Sequence, residues 1–258
     1  MTSTFKLVLR RLAQPLMLVA LMLGTNALAE PLRVAVSPDY QPLVFKRDGQ
    51  LVGIEVDNAR EVGAILGRPI KHIEMPLKEF IPALNEGRVD VVMSGFSITP
   101  ERQAQVAFAD PFMEIGQMAI IRTADAARLA RPRGLSQPGL RVGVEPGTTG
   151  ERYARERLPE AKVLNYPDPS YAFAALRANA ADVYIHDAPT SWRLSNDRAN
   201  PDLMSLYRKL TSEDLAWVVR KDNKVLLGQL NAALAELRSN GRLQAIQNYW
   251  IPVIVQVR

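Results

Sequence analysis

The sequence contains no cysteine and only two histidines. A chain without cysteine has no disulfide framework, no thiolate metal ligand, no thiol nucleophile and no thiol for lipid attachment. The sequence also shows no Ser-His-Asp arrangement, no His/Cys cluster at metal-binding spacing and no glycine-rich phosphate loop. We therefore expect no metal and no cofactor, and these absences favour a binding protein over an enzyme.

Nucleic-acid binding is not expected either. Arg128, Arg131 and Arg133 form the one dense basic cluster in the sequence, and no aromatic residues that could stack on bases are interleaved with it. A solvated loop explains this cluster better than a nucleic-acid-binding surface does. Beyond the N-terminus, the sequence has no apolar run long enough to cross a membrane, no internal repeat and no low-complexity tract.

The N-terminus has the pattern of a secretory signal peptide. Three basic residues precede the apolar stretch from Leu12 to Leu23, which leads to Ala27-Leu28-Ala29, and we expect cleavage before Glu30, which removes residues 1–29. A retained membrane anchor is the alternative, but the stretch is shorter than the roughly 20 residues of a spanning helix. Of the formal net charge of +5 the leader supplies three units, so the mature chain carries +2. We expect it to be a soluble periplasmic monomer.

Strand-like and helix-like segments alternate along most of the chain, which predicts an α/β fold. The first series consists of a strand over Leu32 to Ser37, a helix over Val56 to Ile65, a strand over Ile70 to Glu74, helical spacing from Leu77 to Leu84, and a strand over Val89 to Met93. A stretch rich in Ala, Arg, Pro and Gly, Thr123 to Gly139, follows the strand Gln117 to Ile121. We place a lobe boundary just before that stretch.

A second series of segments begins with a predicted strand over Arg141 to Val144. It continues with a helix after Gly150, a strand near Val163, a helix over Ala172 to Leu176, a strand over Val183 to Ile185 and a return strand over Leu215 to Val219. A leucine stripe from Leu226 to Leu237 predicts a long helix, and a final helix carries Tyr249 and Trp250. The chain is thus long enough for two modest lobes.

Three predicted strand ends carry polar residues, and open α/β sheets bind ligands beyond the carboxyl ends of their strands. The first end runs from Ser94 to Arg102, where Thr99 suits an N-cap and the free N–H groups of the next helix attract an anion. The second is the turn from Gly143 to Gly150, and the third is His186-Asp187. Arg102 suits a carboxylate and Asp187 an ammonium group, so a zwitterion such as an α-amino acid matches both.

Each of these residues also has a structural interpretation. Arg102 could be a solvated helix residue or an ion-pair partner, Thr148 and Thr149 could only cap the next helix, and Asp187 could be an N-cap. His186 and Tyr40 could be packing residues. Glu145 would favour a cationic or hydrogen-donating ligand side chain inside a cleft, and outside the cleft it carries no information.

With these motifs the chain resembles family 3 periplasmic solute-binding proteins over nearly all of its mature length. The ordered series that carries the resemblance consists of Pro38 to Pro42, Leu51 to Asp57, Ile81 to Leu84, Ser97 to Arg102, Phe108 to Phe112, Gly147 to Thr149 and Asn240-Gly241. The resemblance extends to glutamine-binding and lysine/arginine/ornithine-binding proteins. His186-Asp187-Ala188-Pro189 is similar to the corresponding segment of glutamine-binding proteins, although those carry an aspartate and a lysine where this chain has Ser37 and Glu145.

The resemblance implies a two-lobed periplasmic-binding-protein fold of type II. Each lobe would hold a mostly parallel sheet flanked by helices, and two hinge crossings near Ile121 and Leu215 would join the lobes. We expect residues 30–120 and 218–258 to form the first lobe and residues 121–217 to form the second.

The resemblance also implies the roles of the site residues. An arginine matching Arg102 binds the ligand α-carboxylate with help from Ser97 and Thr149, an aspartate matching Asp187 binds the α-amino group, and Tyr40 packs on the ligand side chain. Leu77 stands where the family has a second aromatic wall. The full expected set is Ser37, Tyr40, Leu77, Ser94, Gly95, Ser97, Arg102, Glu145, Thr148, Thr149, His186 and Asp187.

By this resemblance the chain is a receptor that closes around an amino acid, polar or cationic, and delivers it to an inner-membrane ABC permease. One alternative is an enzyme similar to the periplasmic cyclohexadienyl dehydratases, which act on prephenate or arogenate. Those enzymes carry a glutamate where this chain has Thr190, which cannot supply a carboxylic proton. A ligand-sensing subunit of a signalling system is a further alternative.

Overall fold

The computed structural model describes residues 29–194, 197 and 199–251, so nearly all of the expected leader lies outside the described residues. The strands are β1 (Leu32–Val36), β2 (Asp39–Tyr40), β3 (Val44–Arg47), β4 (Gln50–Val52), β5 (Ile70–Glu74), β6 (Val91–Val92), β7 (Val106–Phe108), β8 (Met113–Ile115), β9 (Gln117–Arg122), β10 (Arg141–Val144), β11 (Lys162–Asn165), β12 (Val183–Asp187), β13 (Leu203–Leu206), β14 (Glu213–Leu215) and β15 (Val218–Arg220). The helices are α1 (Ile54–Leu66), α2 (Phe80–Asn85), α3 (Pro100–Gln103), α4 (Ala126–Leu129), α5 (Thr149–Arg157), α6 (Pro169–Arg177), α7 (Ala188–Leu194), α8 (Lys224–Ser239) and α9 (Arg242–Trp250).

Two five-stranded sheets form the frame, with strand orders β5-β1-β6-β15-β7 and β11-β10-β12-β9-β13. In the first sheet β1 pairs in parallel with β5 and β6, whereas β15 is antiparallel to both of its neighbours. The second sheet repeats this pattern, because β10 is parallel to β11 and β12, and β9 is antiparallel to both of its neighbours. Four of the five strands in each sheet therefore run in one direction, as expected of a mostly parallel sheet.

Both faces of each sheet are covered. In β1, Leu32, Val34 and Val36 pack into a core that includes residues of α1, α8 and α9, while Ala35 packs on the other face with Phe80. This alternation follows the period of two in a strand. The strand sequences are therefore nearly continuous apolar runs, which is typical of a sheet with helices on both sides.

Two short antiparallel strands, β8 and β14, lie where the chain crosses between the sheets, with Met113 opposite Leu215. The chain enters the second sheet directly after β8 and returns to the first sheet directly after β14. The expected lobe limits remain a prediction. Because all of β9 pairs within the second sheet, we propose moving the first limit from residue 121 back to β8.

The predicted return strand over Leu215 to Val219 is divided in the structure. Leu215 ends β14, and Val218 begins β15. Trp217 lies between them with no exposed surface. Among the described residues, no helix combines the length and the apolar character that crossing a membrane requires.

Candidate ligand-binding cleft

All twelve residues expected from the sequence line one cleft of about 470 Å³. Small-molecule sites in proteins commonly have volumes of roughly 300–1,000 Å³. One wall comes from the first sheet and its loops, including Ser37, Tyr40, Leu77, Ser94, Gly95, Ser97 and Arg102. The other wall comes from the second sheet and includes Glu145, Thr148, Thr149, His186 and Asp187. Residues far apart in the sequence are thus brought to one place between the two sheets.

Arg102 holds its guanidinium at the cleft without a carboxylate partner among the described residues. Thr99 caps α3, because its hydroxyl accepts a hydrogen bond from the backbone N–H of Arg102. The guanidinium lies 3.8 Å from the centre of the Phe96 ring and donates to the backbone oxygens of Ser97 (2.8 Å) and Gly147 (3.1 Å). Burial lowers the pKa of Arg102 from its ordinary value to about 10, so the group stays charged at neutral pH. A fixed cation with an open face suits an anionic ligand group.

Asp187 provides the opposite charge at the end of β12. Its carboxylate accepts hydrogen bonds from the Tyr40 hydroxyl and the Gln117 side-chain amide. Burial raises the pKa of Asp187, and the nearby charge of Glu213 raises it further, whereas His186 and the two donors lower it only in part. A ligand ammonium group would therefore stabilise the ionised form of this carboxylate.

Gln117 is a cleft residue that sequence reasoning missed. Its side-chain amide donates to the hydroxyl of Thr149 (3.0 Å) and to Asp187, so it ties two expected residues together. The antiparallel register of β9 and β12 places Gln117 opposite Asp187. The signal in the sequence is one polar residue directly before four apolar strand residues, but only the register gives it a role.

The two adjacent threonines have different surroundings. Thr148 caps α5, because its hydroxyl accepts from the backbone N–H of Glu151 (3.1 Å) and donates to the backbone oxygen of Glu145 (2.7 Å). Thr149 is buried against Gln117. The capping interpretation thus holds for Thr148, while both residues still line the cleft.

Glu145 lines the cleft, which answers the question that the sequence left open. Its carboxylate accepts a hydrogen bond from the Tyr184 hydroxyl, and Nε2 of His186 lies 3.1 Å away. Asp39 lines the same cleft. Burial raises the pKa of Asp39, and the charges of Asp168 and Glu145 raise it further. This end of the cleft is therefore acidic.

Gly95 forms part of the cleft floor in a conformation that requires glycine. Its φ of +63° lies in the left-handed region, and a Cβ there would stand 2.6 Å from Cε1 of Tyr40. The carboxylate of Glu55, on α1 behind the floor, accepts hydrogen bonds from the Gly95 N–H and the Trp217 indole N–H, both 2.9 Å. Glu55 thus links the cleft floor to the segment that follows β14.

Glu55 is expected to make stability depend on pH. Burial raises its pKa from 4.5 to about 7, against the opposing hydrogen bonds from Gly95, Trp217 and Asn58. A carboxyl with a raised folded-state pKa contributes stability below the unfolded pKa and loses that contribution as pH rises through about 7. The loss corresponds to about 3 kcal/mol of unfolding free energy.

Urea unfolding of the wild type and Glu55→Gln at pH 4.5, 6 and 8 measures this contribution. The wild type should lose stability relative to the variant as pH rises, because the amide does not titrate. Glu236→Gln, on the exposed face of α8, is the matched control and should follow the wild type. A constant difference between the wild type and Glu55→Gln at all three pH values would contradict the assignment.

Hydrogen bonds and an ion pair join the two walls across the cleft. Tyr40 donates to Asp187, and Arg102 donates to Gly147. The Thr190 hydroxyl donates to the backbone oxygen of Gln41 (3.1 Å), and Arg152 pairs with Glu101 at 3.1 Å on the surface. The expected residues of the two lobes therefore meet directly.

The chain matches the family model for bacterial extracellular solute-binding proteins, family 3, over residues 32–253. It is a family 3 solute-binding protein. It is 29% identical over 252 residues to ABC transporter arginine-binding protein 1 of Escherichia coli K12, covering 95% of this chain and all of that protein. The cyclohexadienyl dehydratase of Pseudomonas aeruginosa is 30% identical over 210 residues, covering 77% of this chain and 78% of the enzyme.

The chain is also similar to solved structures in three dimensions. An ancestral arginine-binding protein bound to arginine superposes on this solute-binding protein with a TM-score of 0.78 at 30% identity, covering 86% of this chain and 99% of that one. The predicted family and the predicted two-lobed type II fold are confirmed.

Proposed function

We propose that this protein is a periplasmic receptor that binds an α-amino acid with a polar or cationic side chain and delivers it to an inner-membrane ABC permease. The observation that carries the proposal is the pair of opposite charges, Arg102 and Asp187, that face one cleft from different walls. Among the described residues, Arg102 has no ion-pair partner and Asp187 has hydrogen-bond donors but no Lys or Arg partner. The carboxylate of a zwitterion would pair with Arg102, and its ammonium group would pair with Asp187.

In this proposal each group of the ligand has a named partner. The α-carboxylate binds the guanidinium of Arg102 beside Ser97 and the N-terminus of α5, where backbone N–H groups favour an anion. The α-ammonium group binds Asp187, held in place by Tyr40 and Gln117. The side chain extends past Leu77 toward the acidic end of the cleft.

The acidic end of the cleft supports a cationic side chain. Glu145 and Asp39 both line it, and a carboxylate interacts more favourably with a cation than with a neutral group. The relatives named for arginine support the same choice. Three or four charge-assisted hydrogen bonds contribute about 5–12 kcal/mol before association costs, and micromolar binding requires about 8 kcal/mol.

Delivery to a permease requires a difference between the free and the bound receptor. We infer that the lobes close around the ligand, with β8 and β14 as the hinge, because these are the two crossing segments and they are only three residues long each. A signal peptide over residues 1–29 would place the receptor in the periplasm.

The dehydratase alternative lacks its acid at the expected position. Thr190 is buried, and its hydroxyl donates to the backbone oxygen of Gln41, so it supplies no carboxylic proton. Glu145 accepts from the Tyr184 hydroxyl and pairs with Nε2 of His186, so it is an acceptor and not a proton donor in these contacts. These contacts support a receptor rather than an enzyme.

A thermal-shift screen of the mature protein against all proteinogenic amino acids tests the proposal. A ligand at a hundred times its dissociation constant stabilises the folded state by about 2.7 kcal/mol. We expect arginine, lysine or glutamine to raise the melting temperature and neutral apolar amino acids to raise it less. A flat screen would contradict the proposal, and turnover of arogenate or prephenate in a parallel assay would favour the enzyme.

A further inference from the structure

His186 and Glu145 form a titratable pair inside the cleft. Nε2 of His186 lies 3.1 Å from the Glu145 carboxylate, and both side chains line the cleft. His186 is only 8% exposed, whereas 21% of the Glu145 side chain is exposed. Nδ1 of His186 is buried and has no hydrogen-bond partner among the described residues. The geometry therefore places a histidine proton beside the Glu145 carboxylate inside the cleft.

The groups that face His186 are mostly acidic or uncharged. Asp187 follows it on β12, and the Tyr40 and Tyr184 rings lie with their centres 5.3 and 5.4 Å from the imidazole. Burial lowers the pKa of His186, but the charge and hydrogen bond of Glu145, and then the charge of Asp187, outweigh it and raise the pKa above 6.5. Asp39 and Asp168 add negative charge around Glu145. The charge of Glu145 raises the pKa of Asp39, and the charges of Glu145 and Asp168 both raise the pKa of Tyr184.

A cationic ligand side chain and the His186 proton would compete for the same carboxylate. When His186 is protonated, Glu145 already has a cationic partner, and a second cation beside it meets a like charge. When His186 is neutral, the charge of Glu145 is open to the ligand. The affinity for a neutral side chain of the same length should not depend on the protonation state of His186.

We propose that His186 sets the side-chain charge preference of the site: its neutral form makes the cleft select cationic amino acids, and its protonated form removes that selection. The inference deepens the proposed receptor function and rests on it. His186 is then a positioning and specificity residue that acts through Glu145. The binding of a cation below neutral pH should release a proton from the pair.

Arginine and citrulline provide a matched pair of probes, because the two side chains have the same length and differ in a charged guanidinium versus a neutral ureido group. Dissociation constants for both are measured by calorimetry on the mature protein from pH 5.5 to 8.5. Effects on the shared α-carboxylate and α-ammonium contacts, including those from Glu55 and Asp187, cancel in the ratio of the two constants.

We expect the preference for arginine over citrulline to rise with pH. The increase is about tenfold for each pK unit by which bound arginine lowers the pKa of His186. In buffers of different ionisation enthalpy, arginine binding at acidic pH should release a fraction of a proton that citrulline binding does not release. This measurement needs no variant, so it stands even if a substitution impairs folding.

Variants then locate the proton. His186→Gln keeps a donor near Glu145 without a titratable charge, so the arginine preference should be high and independent of pH. His72→Gln, which replaces the other histidine of the chain on β5, should keep the wild-type profile. Glu145→Gln should abolish the arginine preference at every pH.

The outcomes separate this inference from the proposed function. If both amino acids bind and their ratio is flat with pH, or if His186→Gln keeps the wild-type slope, the inference is overturned while the receptor function stands. If neither amino acid binds at any pH and other amino acids also fail, both are overturned.

Discussion

Arg102→Ala is expected to weaken amino-acid binding by about 10²- to 10⁴-fold. The substitution removes the charge-assisted hydrogen bonds proposed for the α-carboxylate, and two such bonds contribute about 3–6 kcal/mol. The carboxylate would also remain inside the cleft without a cation, which adds a desolvation cost. Isothermal calorimetry with the best ligand from the screen measures the change.

Arg102→Lys tests whether charge alone is enough. A lysine keeps the positive charge but cannot stack as a planar fork on Phe96 and reach the backbone oxygens of Ser97 and Gly147 together. We expect it to restore only part of the affinity.

Arg155→Ala is the matched control for an arginine-to-alanine change. Arg155 is on α5, where it pairs with Glu151 one turn away and 56% of its side chain is exposed. Exposed pairs of this kind contribute little, so its affinity should equal that of the wild type. Wild-type affinity in Arg102→Ala, with a folded state confirmed by circular dichroism, would exclude Arg102 as the carboxylate site.

The sequence predicted the frame of the molecule because its signals are local. The strand over Arg141 to Val144 has the predicted bounds, and the leucine stripe of the predicted long helix lies on α8 with Leu226, Leu230, Leu234 and Leu237 buried. Period and capping determine such elements within about ten residues of chain. Strand ends in an α/β sheet then place the polar residues that follow them.

Other features depend on contacts between distant residues, which no local pattern carries. The return strand divides at Trp217, whose indole donates to a carboxylate 162 positions earlier in the chain. Of the predicted strand over Val89 to Met93, only Val91 and Val92 pair with strands on both sides. Gln117 enters the cleft only through the register of two strands.

The surroundings of Glu145 show the same limit in the site itself. Its position after a strand could be predicted from the sequence, but its partners could not, because the apolar residues beside Tyr184 predict core packing. In the structure the Tyr184 hydroxyl donates a hydrogen bond to the Glu145 carboxylate. The charges of Asp168 and Asp39 belong to the same cluster of interacting groups. The ligand specificity that we propose therefore depends on a polar cluster assembled by tertiary contacts.

Asp187→Asn is expected to separate stability from binding. Asparagine keeps nearly the same shape and an oxygen that accepts from Tyr40, but it removes the charge proposed to bind the ligand ammonium group. Breaking a buried charge pair costs about 3–5 kcal/mol, which corresponds to a loss of affinity of about 10²- to 10³-fold or more.

The free protein should respond in the opposite direction. Because burial raises the pKa of Asp187, its contribution to stability is present below the unfolded pKa of 3.8 and is lost as pH rises through the folded pKa. At neutral pH the ionised carboxylate thus destabilises the ligand-free state, and Asp187→Asn should unfold at a higher urea concentration than the wild type. Added amino acid at the same concentration should then stabilise the wild type more than the variant.

Asp222→Asn is the control for this pair of effects, because Asp222 is an exposed residue that pairs with Arg220 on the surface. It should leave both the affinity and the urea midpoint close to wild type. A variant Asp187→Asn that binds the amino acid as tightly as the wild type would assign the ammonium group elsewhere. A variant that loses both affinity and stability would indicate instead that the charge of Asp187 stabilises the fold. If the charge serves ligand binding and destabilises the free protein, the substitution should lower the affinity and raise the stability.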